Sequence, residues 1–223
     1  MGSDFSAVVG SEAELRTLYR APSAVVRAKK VARLDDGARR FIAGSPVCLL
    51  ATADAEGRCD VSPRGGPPGF VRTLDDRRLA IPDLSGNNLL DSLTNIVANP
   101  RAGLLCVIPG RDETLRAEGE ACLTTDPEVL SLWDDELRRP KVAIGLTVTT
   151  VYIHCAKSFR RGRVWEPASW AELAGAPDIC DVLIEQVGID ATAATIRDAL
   201  EQGYAHDLAE ERRLGGEERR VSG

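Results

Sequence analysis

The sequence predicts a mainly β protein with flanking helices, an α+β fold in which about six antiparallel strands form a small barrel. Two observations carry this prediction. Between residues 47 and 156, short apolar or alternating segments follow one another, and several are joined by short turns typical of hairpins. One amphipathic helix lies between the fourth and the fifth of these segments, and helices before and after the whole series can cover the ends of a barrel.

The first elements follow directly from local patterns. Residues 11–22 and 35–44 have the apolar spacing of short helices, and Pro22 and Gly44 end them.

The strand predicted at residues 114–125 contains Gly119. A kink is expected at this position, because glycine inside a strand often marks a bulge or a bend. The predicted strands are residues 47–53, 59–65, 70–74, 78–83, 102–110, 114–125 and 142–156.

The later helices are predicted from apolar stripes. The clearest spans residues 85–100, where Leu89, Leu93 and Ile96 share one face and Asn99-Pro100 ends it. Pro127 begins another helix at residues 127–137. Helices at 179–187 and 191–213 follow, and the last carries a stripe that must pack against another surface: Ile196, Leu200, Tyr204 and Leu208.

These elements divide the chain into four segments. We expect an N-terminal helical segment at residues 1–34, a barrel domain at 35–165, a C-terminal helical extension at 166–213 and a disordered tail at 214–223.

Composition excludes several classes of protein. The 223 residues are 43% hydrophobic and 28% charged, which excludes a fully disordered chain. Lys and Arg number 28 and Asp and Glu number 34, so the net charge of −6 gives no overall attraction to nucleic acid or to an anionic membrane. Because the chain has neither a long apolar run nor a basic and apolar start, we expect a cytoplasmic protein without a membrane span.

The six cysteines form no metal-binding or disulfide pattern. None lies in a C-x-x-C pair, and only two histidines are present, so no metal site is expected. Cys48, Cys106 and Cys122 lie in apolar or alternating runs and are predicted to be small buried residues. Reduced thiols agree with a cytoplasmic location.

The common catalytic motifs are absent from the sequence, including G-x-S-x-G, H-E-x-x-H, the P-loop and G-x-G-x-x-G. A hydrolase would need His154, at the end of a strand, or His206, in a surface helix. A structural or solvated histidine is the simpler interpretation of both. An enzyme with so few acid–base groups would rely on a bound cofactor for the difficult step.

Two segments are typical of anion binding. In residues 62–66, Arg64 stands beside two glycines, where a guanidinium can pair with phosphate; the alternative is a turn with a surface arginine. In residues 83–93, polar residues begin the predicted helix, whose N–H groups favour a negative group; the alternative is ordinary helix capping. Both segments follow strands of the same barrel, so we expect one shared pocket.

A basic run at residues 154–165 contains Lys157, Arg160, Arg161 and Arg163 close to an aromatic ring. A solvated charged surface and a second basic wall for an anionic cofactor are both open interpretations. The acidic net charge and the scarcity of aromatic residues argue against nucleic acid as the partner.

Residues 35–165 resemble the pyridoxamine 5′-phosphate oxidase-like proteins, which are FMN-binding, six-stranded antiparallel split β-barrels. The blocks that carry the resemblance are, in order, VCLLATADAEGRCDVSPRGG, LAIPDLSGNNLLDSLTNIVANPRAGLLCVIPG, ETLRAEGEACL and YIHCAKSFRRGRVW. A strand, a helix, Asn-Pro-Arg and an apolar strand in succession are characteristic when the other blocks flank them. The chain is most similar to a bacterial subgroup and less so to the vitamin B6 enzyme.

The resemblance implies a homodimer that binds FMN between its subunits and transfers a hydride from a small molecule to N5 of the flavin. Lys157 or Arg161 would stabilise negative charge at N1 of the reduced flavin, and no catalytic residue is assigned. Thr114 and Arg116 would act from the partner subunit. The residues that match the family's cofactor contacts are Ser62, Pro63, Arg64, Gly65, Ile81, Pro82, Asp83, Gly86, Asn87, Asn88, Thr114, Arg116, Lys157 and Arg161.

The chain departs from the vitamin B6 enzyme in its phosphate turn, where Gly86-Asn87-Asn88 replaces Ser-Arg-Lys. Pro67 also replaces a lysine, and the C-terminal Arg-x-His motif has no counterpart. Arg64, Arg116 or Lys157 would then have to balance the phosphate charge, because a buried dianion without a partner is costly. Three functions stay open: an FMN-dependent oxidoreductase of an unknown small molecule, a flavin carrier without turnover, and a relative that uses deazaflavin or haem.

Overall fold

The computed structural model describes residues 5–170 and 175–217, with side chains as far as residue 212. The strands are β1 (Val47–Ala53), β2 (Cys59–Gly65), β3 (Arg72–Thr73), β4 (Arg78–Pro82), β5 (Arg101–Val107), β6 (Thr114–Thr124) and β7 (Ala143–His154). They pair antiparallel throughout, in the order β2-β1-β5-β6-β7-β4-β3. The protein is therefore mainly β, an open antiparallel sheet of seven strands with flanking helices.

This sheet differs from the predicted six-stranded barrel. The strand predicted at residues 70–74 is reduced to β3, which has only two residues because Pro67, Pro68 and Gly69 interrupt the chain just before it. β2 and β3 stand at opposite ends of the strand order, so the described pairings leave two edges and do not close the sheet.

The helices flank the sheet in sequence and in space. They are α1 (Glu12–Leu18), α2 (Ala24–Ala28), α3 (Asp36–Ala43), α4 (Asp91–Ala98), α5 (Pro127–Leu130), α6 (Lys157–Arg161), α7 (Pro167–Trp170), α8 (Ile179–Val187) and α9 (Ala193–Glu217), with a 3₁₀ turn at Ser131–Trp133. None of the described helices is both long enough and apolar enough to cross a membrane.

The central helix is shorter than predicted. It was expected from residue 85 but begins at Asp91, because Asn88 and Leu90 have φ angles of 59° and 61°, which a right-handed helix does not allow. The helix predicted at residues 127–137 is likewise reduced to α5 and the 3₁₀ turn.

One face of the sheet holds the main core. Leu50, Leu104 and Ala117 are neighbours on adjacent strands and are almost completely buried. Ile42 from α3 and Ile96 from α4 belong to the same apolar cluster. We call this the inner face. The opposite, outer face carries residues of the other parity, such as Leu49, Leu105 and Arg116.

A bulge in β7 exchanges the two faces along that strand. Gly119 pairs with Val148 whereas Glu118 pairs with Thr150, so one extra residue is inserted in β7. Ile144, Leu146 and Val148 are buried before the bulge, but after it the buried residue is Val151. Tyr152 therefore comes to lie opposite Arg116 on the outer face.

Glycine is required opposite this bulge. A Cβ atom at Gly119 would lie 2.0 Å from the carbonyl oxygen of Thr147. The irregularity falls at the glycine where the sequence predicted a kink, but the extra residue lies in the partner strand β7.

Burial of the cysteines follows the same alternation. Cys48 and Cys106 are buried as predicted, and they are direct neighbours on β1 and β5. The prediction for Cys122 was wrong: it is exposed, because its parity in β6 places it on the outer face with Arg116. All six cysteines are free thiols.

The C-terminal stripe is only partly covered. Ile196 and Leu200 are half-buried, whereas Tyr204 and Leu208 are 56% and 51% exposed. Helix α9 continues to Glu217, four residues into the segment expected to be a tail, and residues 218–223 lie outside the described part.

Candidate functional site

A cavity of about 360 Å³ lies between β2 and the segment that connects β4 to α4. We call it the loop cavity. The two segments that the sequence predicted to share a pocket meet here. The lining residues are Ser62, Pro63, Arg64, Gly65, Pro82, Asp83, Leu84, Ser85, Gly86, Asn87, Asn88, Leu89, Leu90, Asp91, Ser92 and Leu93.

The alternation of side chains along β2 places Arg64 on the side of the strand that lines this cavity. Ser62 and Arg64 pair with Leu50 and Cys48, whose side chains are buried on the inner face, so both polar side chains share that face. One terminal nitrogen of Arg64 donates a hydrogen bond to the carbonyl of Pro63 at 2.8 Å. This single contact leaves most donors of the guanidinium available to a ligand.

The connecting loop presents backbone donors. Within residues 5–170 and 175–217, no hydrogen bond uses the N–H groups of Gly86, Asn87 or Asn88. The Asn87 side chain accepts from the N–H of Leu89 at 3.0 Å, and a Cβ at Gly86 would meet no atom within 4 Å. An open loop with consecutive free N–H groups can accept an anion. These donors belong to the loop and not, as predicted, to the first turn of the helix.

The charge balance of the loop cavity is mixed. Arg64 faces two carboxylates, Asp83 and Asp91, in the same lining. Burial raises the pKa of Asp83, while Arg64 and Lys141 act in the opposite direction. Burial thus makes Asp83 easier to protonate than an ordinary aspartate, while the two cations favour its ionised form.

Further charged residues, of both signs, lie behind the loop, and sequence reasoning did not predict them. A second cavity of about 370 Å³ shares residues 83–86 and Asn88 with the loop cavity and adds three cations and two carboxylates: Arg138, Arg139, Lys141, Asp207 and Glu211. Glu211 of α9 also lines it and accepts a hydrogen bond from the N–H of Ser85 at 3.1 Å. The signal in the sequence was the run Arg-Arg-Pro-Lys at residues 138–141.

A partly buried hydroxyl network that sequence reasoning also missed fixes the wall of the loop cavity. Ser92, in the first turn of α4, donates to a carboxylate oxygen of Asp60 at 2.8 Å, and Ser62 donates to the same oxygen at 3.1 Å. The network ties α4 to β2. The alternation of Asp60, Ser62 and Arg64 was the available signal, since three polar residues on one face of a strand rarely face a core.

The remaining predicted residues lie elsewhere. Ile81 is fully buried in the main core and does not line the loop cavity. Lys157 and Arg161 are exposed on α6. In the same basic run Arg160 is paired with Asp112 at 2.7 Å and Arg163 with Glu166 at 2.9 Å, as expected for a solvated surface.

Thr114 and Arg116 line a third cavity, of about 360 Å³, on the outer face. We call it the outer-face cavity. Its lining residues are Leu49, Ala51, Val61, Gly103, Leu104, Leu105, Thr114, Arg116, His154, Ser158 and Phe159. The predicted cofactor residues are therefore split between opposite faces of the sheet, and a single chain does not bring Arg64 and Arg116 to one ligand.

Metal chemistry finds no support in this arrangement of side chains. Across the described ranges, no three residues of the types His, Cys, Asp and Glu are grouped so that they could hold a metal ion.

Comparison with known proteins gives a family and several distant structures. The family model described as pyridoxamine 5′-phosphate oxidase matches residues 34–155, which is more than half of the chain. No curated protein matches. Among solved structures, HupZ from Group A Streptococcus is 18% identical, with 52% of this chain and 90% of that chain covered and a TM-score of 0.44.

Two further structures illustrate the range of matches. A pyridoxamine 5′-phosphate oxidase-related, FMN-binding protein from Nostoc punctiforme is 16% identical, covers 52% of this chain and 76% of its own, and has a TM-score of 0.37. HutZ, described as the haem storage protein from Vibrio cholerae, is 15% identical, covers 55% and 94%, and has a TM-score of 0.38. Likeness at this level does not indicate which ligand this chain binds.

Proposed function

The chain belongs to the pyridoxamine 5′-phosphate oxidase family, and from this membership and the geometry of the loop cavity we propose that it is an FMN-dependent oxidoreductase acting on a small molecule. The observation that carries the proposal is the convergence of Arg64 with the unpaired N–H groups of residues 86–88 in one cavity. A guanidinium and a cluster of backbone donors are the groups that proteins use to hold a phosphate.

The loop cavity fits a flavin phosphate in size and in donor type. A volume of about 360 Å³ lies in the range of small-molecule sites. Arg64 can donate charge-assisted hydrogen bonds to the phosphate. Lys141 lies in the cavity behind the loop, close enough to Asp83 to lower the pKa of that carboxyl, and adds a second positive charge near the site. These two cations take the place of those that are missing from residues 86–88.

In the proposed site the chain binds and orients, and the cofactor reacts. FMN, when bound, supplies hydride transfer, which no side chain of the protein can perform. Ser62 and Ser92 hold the Asp60 carboxylate, so that β2 and α4 keep a fixed separation. The left-handed residues Asn88 and Leu90 turn the loop back toward α4 and keep its N–H groups out of helical hydrogen bonds.

The predicted cofactor residues lie on two opposite faces of the sheet, and this arrangement supports a homodimer in which each site is shared by two subunits. Val61 and Leu49 project from the outer face with 61% and 37% of their surface exposed. Such aliphatic side chains on a sheet are typical of an interface. We propose that a second copy covers this face, so that Arg116 and Thr114 of one subunit approach the cofactor held by Arg64 of the other.

The phosphate assignment is tested by comparing FMN with riboflavin, which lacks the phosphate. We expect Arg64→Ala to weaken FMN binding by about 2–4 kcal/mol, or roughly 30-fold to 1,000-fold, and to leave riboflavin binding almost unchanged. Flavin fluorescence titrations of the cofactor-free protein measure both. Arg58→Ala, in the turn of the same hairpin, is the matched control. Equal losses for both ligands, or no loss for FMN, would refute the assignment of Arg64 to the phosphate.

Absorption spectroscopy and mass spectrometry of the purified protein identify the bound cofactor. We expect a yellow preparation whose released chromophore has the mass of FMN. A deazaflavin or a haem has a different absorption spectrum and mass, and finding either would replace FMN as the cofactor.

A second candidate function is a flavin carrier without turnover. It is favoured by one observation: among the described residues that line the loop cavity there is no histidine, cysteine, lysine or tyrosine to move a proton. Reduction by NAD(P)H or light followed by reoxidation in air distinguishes the two. Turnover with a defined acceptor supports the oxidoreductase, and stoichiometric reduction alone supports the carrier.

The homodimer has its own test. We expect Val61→Lys to convert a dimer into a monomer in light scattering at micromolar concentration, because a charge buried at an interface is not tolerated without a partner. The same variant should lose FMN if the site is shared. A monomeric parent protein would contradict the shared site, even if FMN binds.

A further inference from the structure

Residues 5–28, which we call the N-terminal arm, are exposed at every position. They nevertheless form α1 and α2. Each of these helices begins at a capping serine, Ser11 and Ser23, whose hydroxyl accepts a hydrogen bond from a backbone N–H at 3.1 and 3.4 Å. Helices of seven and five residues are too short to be stable in water without packing. The arm therefore needs a surface to pack against, and the described part of its own chain does not supply one.

The exposed side chains of the arm are of two kinds. The cations are concentrated in its second half, because residues 15–34 contain six Lys or Arg residues and no Asp or Glu. The apolar residues in and beside α1 and α2 are between 43% and 78% exposed: Leu15, Leu18, Tyr19, Val25 and Val26. A surface that receives the arm should thus be both apolar and acidic.

The C-terminal helices have this composition. Residues 178–211 contain nine Asp or Glu residues and a single Lys or Arg, which is Arg197. On α9, Glu201, Tyr204 and Leu208 are spaced three and four residues apart and so share one side of the helix. Tyr204 and Leu208 are 56% and 51% exposed, so most of this side is open. We call it the acidic face of α9.

Helix α9 is held in place at both ends. The backbone carbonyl of Glu211 accepts a hydrogen bond from the N–H of Arg138 at 2.9 Å, and its carboxylate accepts one from the N–H of Ser85 at 3.1 Å. Near the start of α9, Arg197 pairs with Asp178, the residue that caps α8. The acidic face is thus presented on a fixed helix, which lowers the entropic cost of docking.

The arm and the end of α9 are attached near opposite ends of β7. The arm leads into Val31, whose backbone exchanges two hydrogen bonds with Val151 at 3.1 and 2.8 Å. Glu211, by contrast, is bonded to Arg138, which precedes the start of β7 at Ala143. The strand between Ala143 and Val151 is roughly 27 Å long. Both surfaces stay exposed in the described chain, so a contact between them would be made between two copies.

We propose that the N-terminal arm of one subunit docks on the acidic face of α9 in a second copy of this chain, and that the exchange is reciprocal. The apolar residues of the arm would cover Tyr204 and Leu208, and its cations would pair with the carboxylates of α8 and α9. Reciprocal docking forms the same contact twice, as twofold symmetry requires. The contact goes beyond the proposed function, because the arm and the acidic face line neither the loop cavity nor the outer-face cavity.

Charge reversal on each side tests the proposal in the full-length protein. Arg20→Glu/Arg27→Glu reverses the arm and Asp198→Lys/Glu201→Lys reverses the helix, and all four side chains are exposed. In analytical ultracentrifugation at about 50 mM sodium chloride, we expect each double variant to dimerise about tenfold more weakly than the parent, with the difference shrinking at about 0.5 M. Arg77→Glu, exposed in the turn between β3 and β4, is the matched control and should dimerise like the parent.

A mixture of the two double variants tests whether the contact is made between copies. In a mixed dimer the reversed arm meets the reversed helix and the native arm meets the native helix, so both contacts recover. We expect native mass spectrometry to find more mixed dimers than random pairing gives. Random pairing, a monomeric parent, or unchanged dimerisation of both variants would overturn the proposal. If a variant fails to fold, the parent protein still tests it, because a dimer that is insensitive to salt would contradict the charge pairing.

Two further outcomes name the alternatives. Binding of the parent to vesicles of phosphatidylcholine and phosphatidylserine that is lost in the arm variant, with dimerisation unchanged in both variants, would replace the second copy by an anionic membrane. FMN titration separates this inference from the proposed function. FMN binding without a preference for mixed dimers removes this inference alone, whereas that preference in a protein that does not bind FMN supports the arm contact and removes the proposed function.

Discussion

The two cavities on either side of β2 are equal in volume, about 360 Å³ each, and opposite in construction. The loop cavity is built largely from irregular backbone, with amide donors, an arginine and two carboxylates in its lining. The outer-face cavity is built mainly from regular strands, with aliphatic walls and a single arginine, Arg116.

The difference shows how one strand can serve two sites. Successive side chains of a strand point to opposite faces. In β2, Ser62 and Arg64 therefore point to the inner face, and Val61 points to the outer face. A run such as Asp-Val-Ser-Pro-Arg therefore encodes both sites at once.

The largest expected difference is in thiol reactivity between the faces. Burial raises the pKa of Cys48 to about 12 and raises that of Cys106 further, while Cys59 and Cys122 are exposed. We expect iodoacetamide to modify the exposed pair at least about a thousand times faster, because the buried pair reacts only after unfolding. Peptide mass spectrometry measures each site. Similar rates in the folded protein would show that the inner face is not a closed core.

Next in size is the effect of Gly119→Ala on stability. The added Cβ would meet the carbonyl of Thr147, so β6 and β7 must separate at the bulge that brings Tyr152 to the outer face. We expect a loss of about 2–4 kcal/mol in the free energy of unfolding. Gly103→Ala in β5, where a Cβ meets nothing within 4 Å, is the control for urea unfolding. Equal effects of the two changes would contradict the bulge.

A smaller effect is expected at the wall of the loop cavity. Ser92→Ala removes the buried hydroxyl that donates to Asp60, and we expect a loss of about 1–2 kcal/mol in unfolding free energy. Thr94→Ala, exposed on the same helix, should change it by no more than about 0.5 kcal/mol. If both variants unfold alike, the hydroxyl network does not fix α4 to β2.

The smallest effect concerns Asp83, whose pKa is raised by burial above its ordinary value of 3.8. The folded protein then holds this proton more tightly than the unfolded chain, so the ionised carboxyl costs stability above the raised pKa. That cost disappears as the pH falls through the raised pKa toward 3.8. Asp83→Asn should therefore be more stable at neutral pH by less than about 1 kcal/mol.

Thermal unfolding of Asp83→Asn and the parent protein across the acid range measures this difference. We expect the two curves to converge as the pH decreases. An advantage of the variant that grows toward low pH would have the wrong sign for a carboxyl whose pKa is raised.

The sequence determined those features that depend on neighbouring residues along the chain. A continuous apolar run and the Gly-containing turn after it located β1 and β2 to the residue, and Asp35 with Gly44 set the limits of α3. Four sequence segments in a given succession along the chain were enough to predict the family. Each segment alone is typical of a local structure, and their succession makes the pattern specific. The meeting of residues 62–65 with the loop after β4 also followed, because both lie at the ends of strands.

Only the tertiary structure decided which face each group occupies. The bulge in β7 depends on its pairing with Gly119 in another strand, and without it Tyr152 and His154 would have the opposite parity. The start of α4 at Asp91, and the position of Lys141 behind the loop, likewise arise from packing between segments that are distant in sequence. Periodicity fixes alternation along one strand, but the register between strands is set by the packing of the whole sheet, and it separated Arg64 from Arg116.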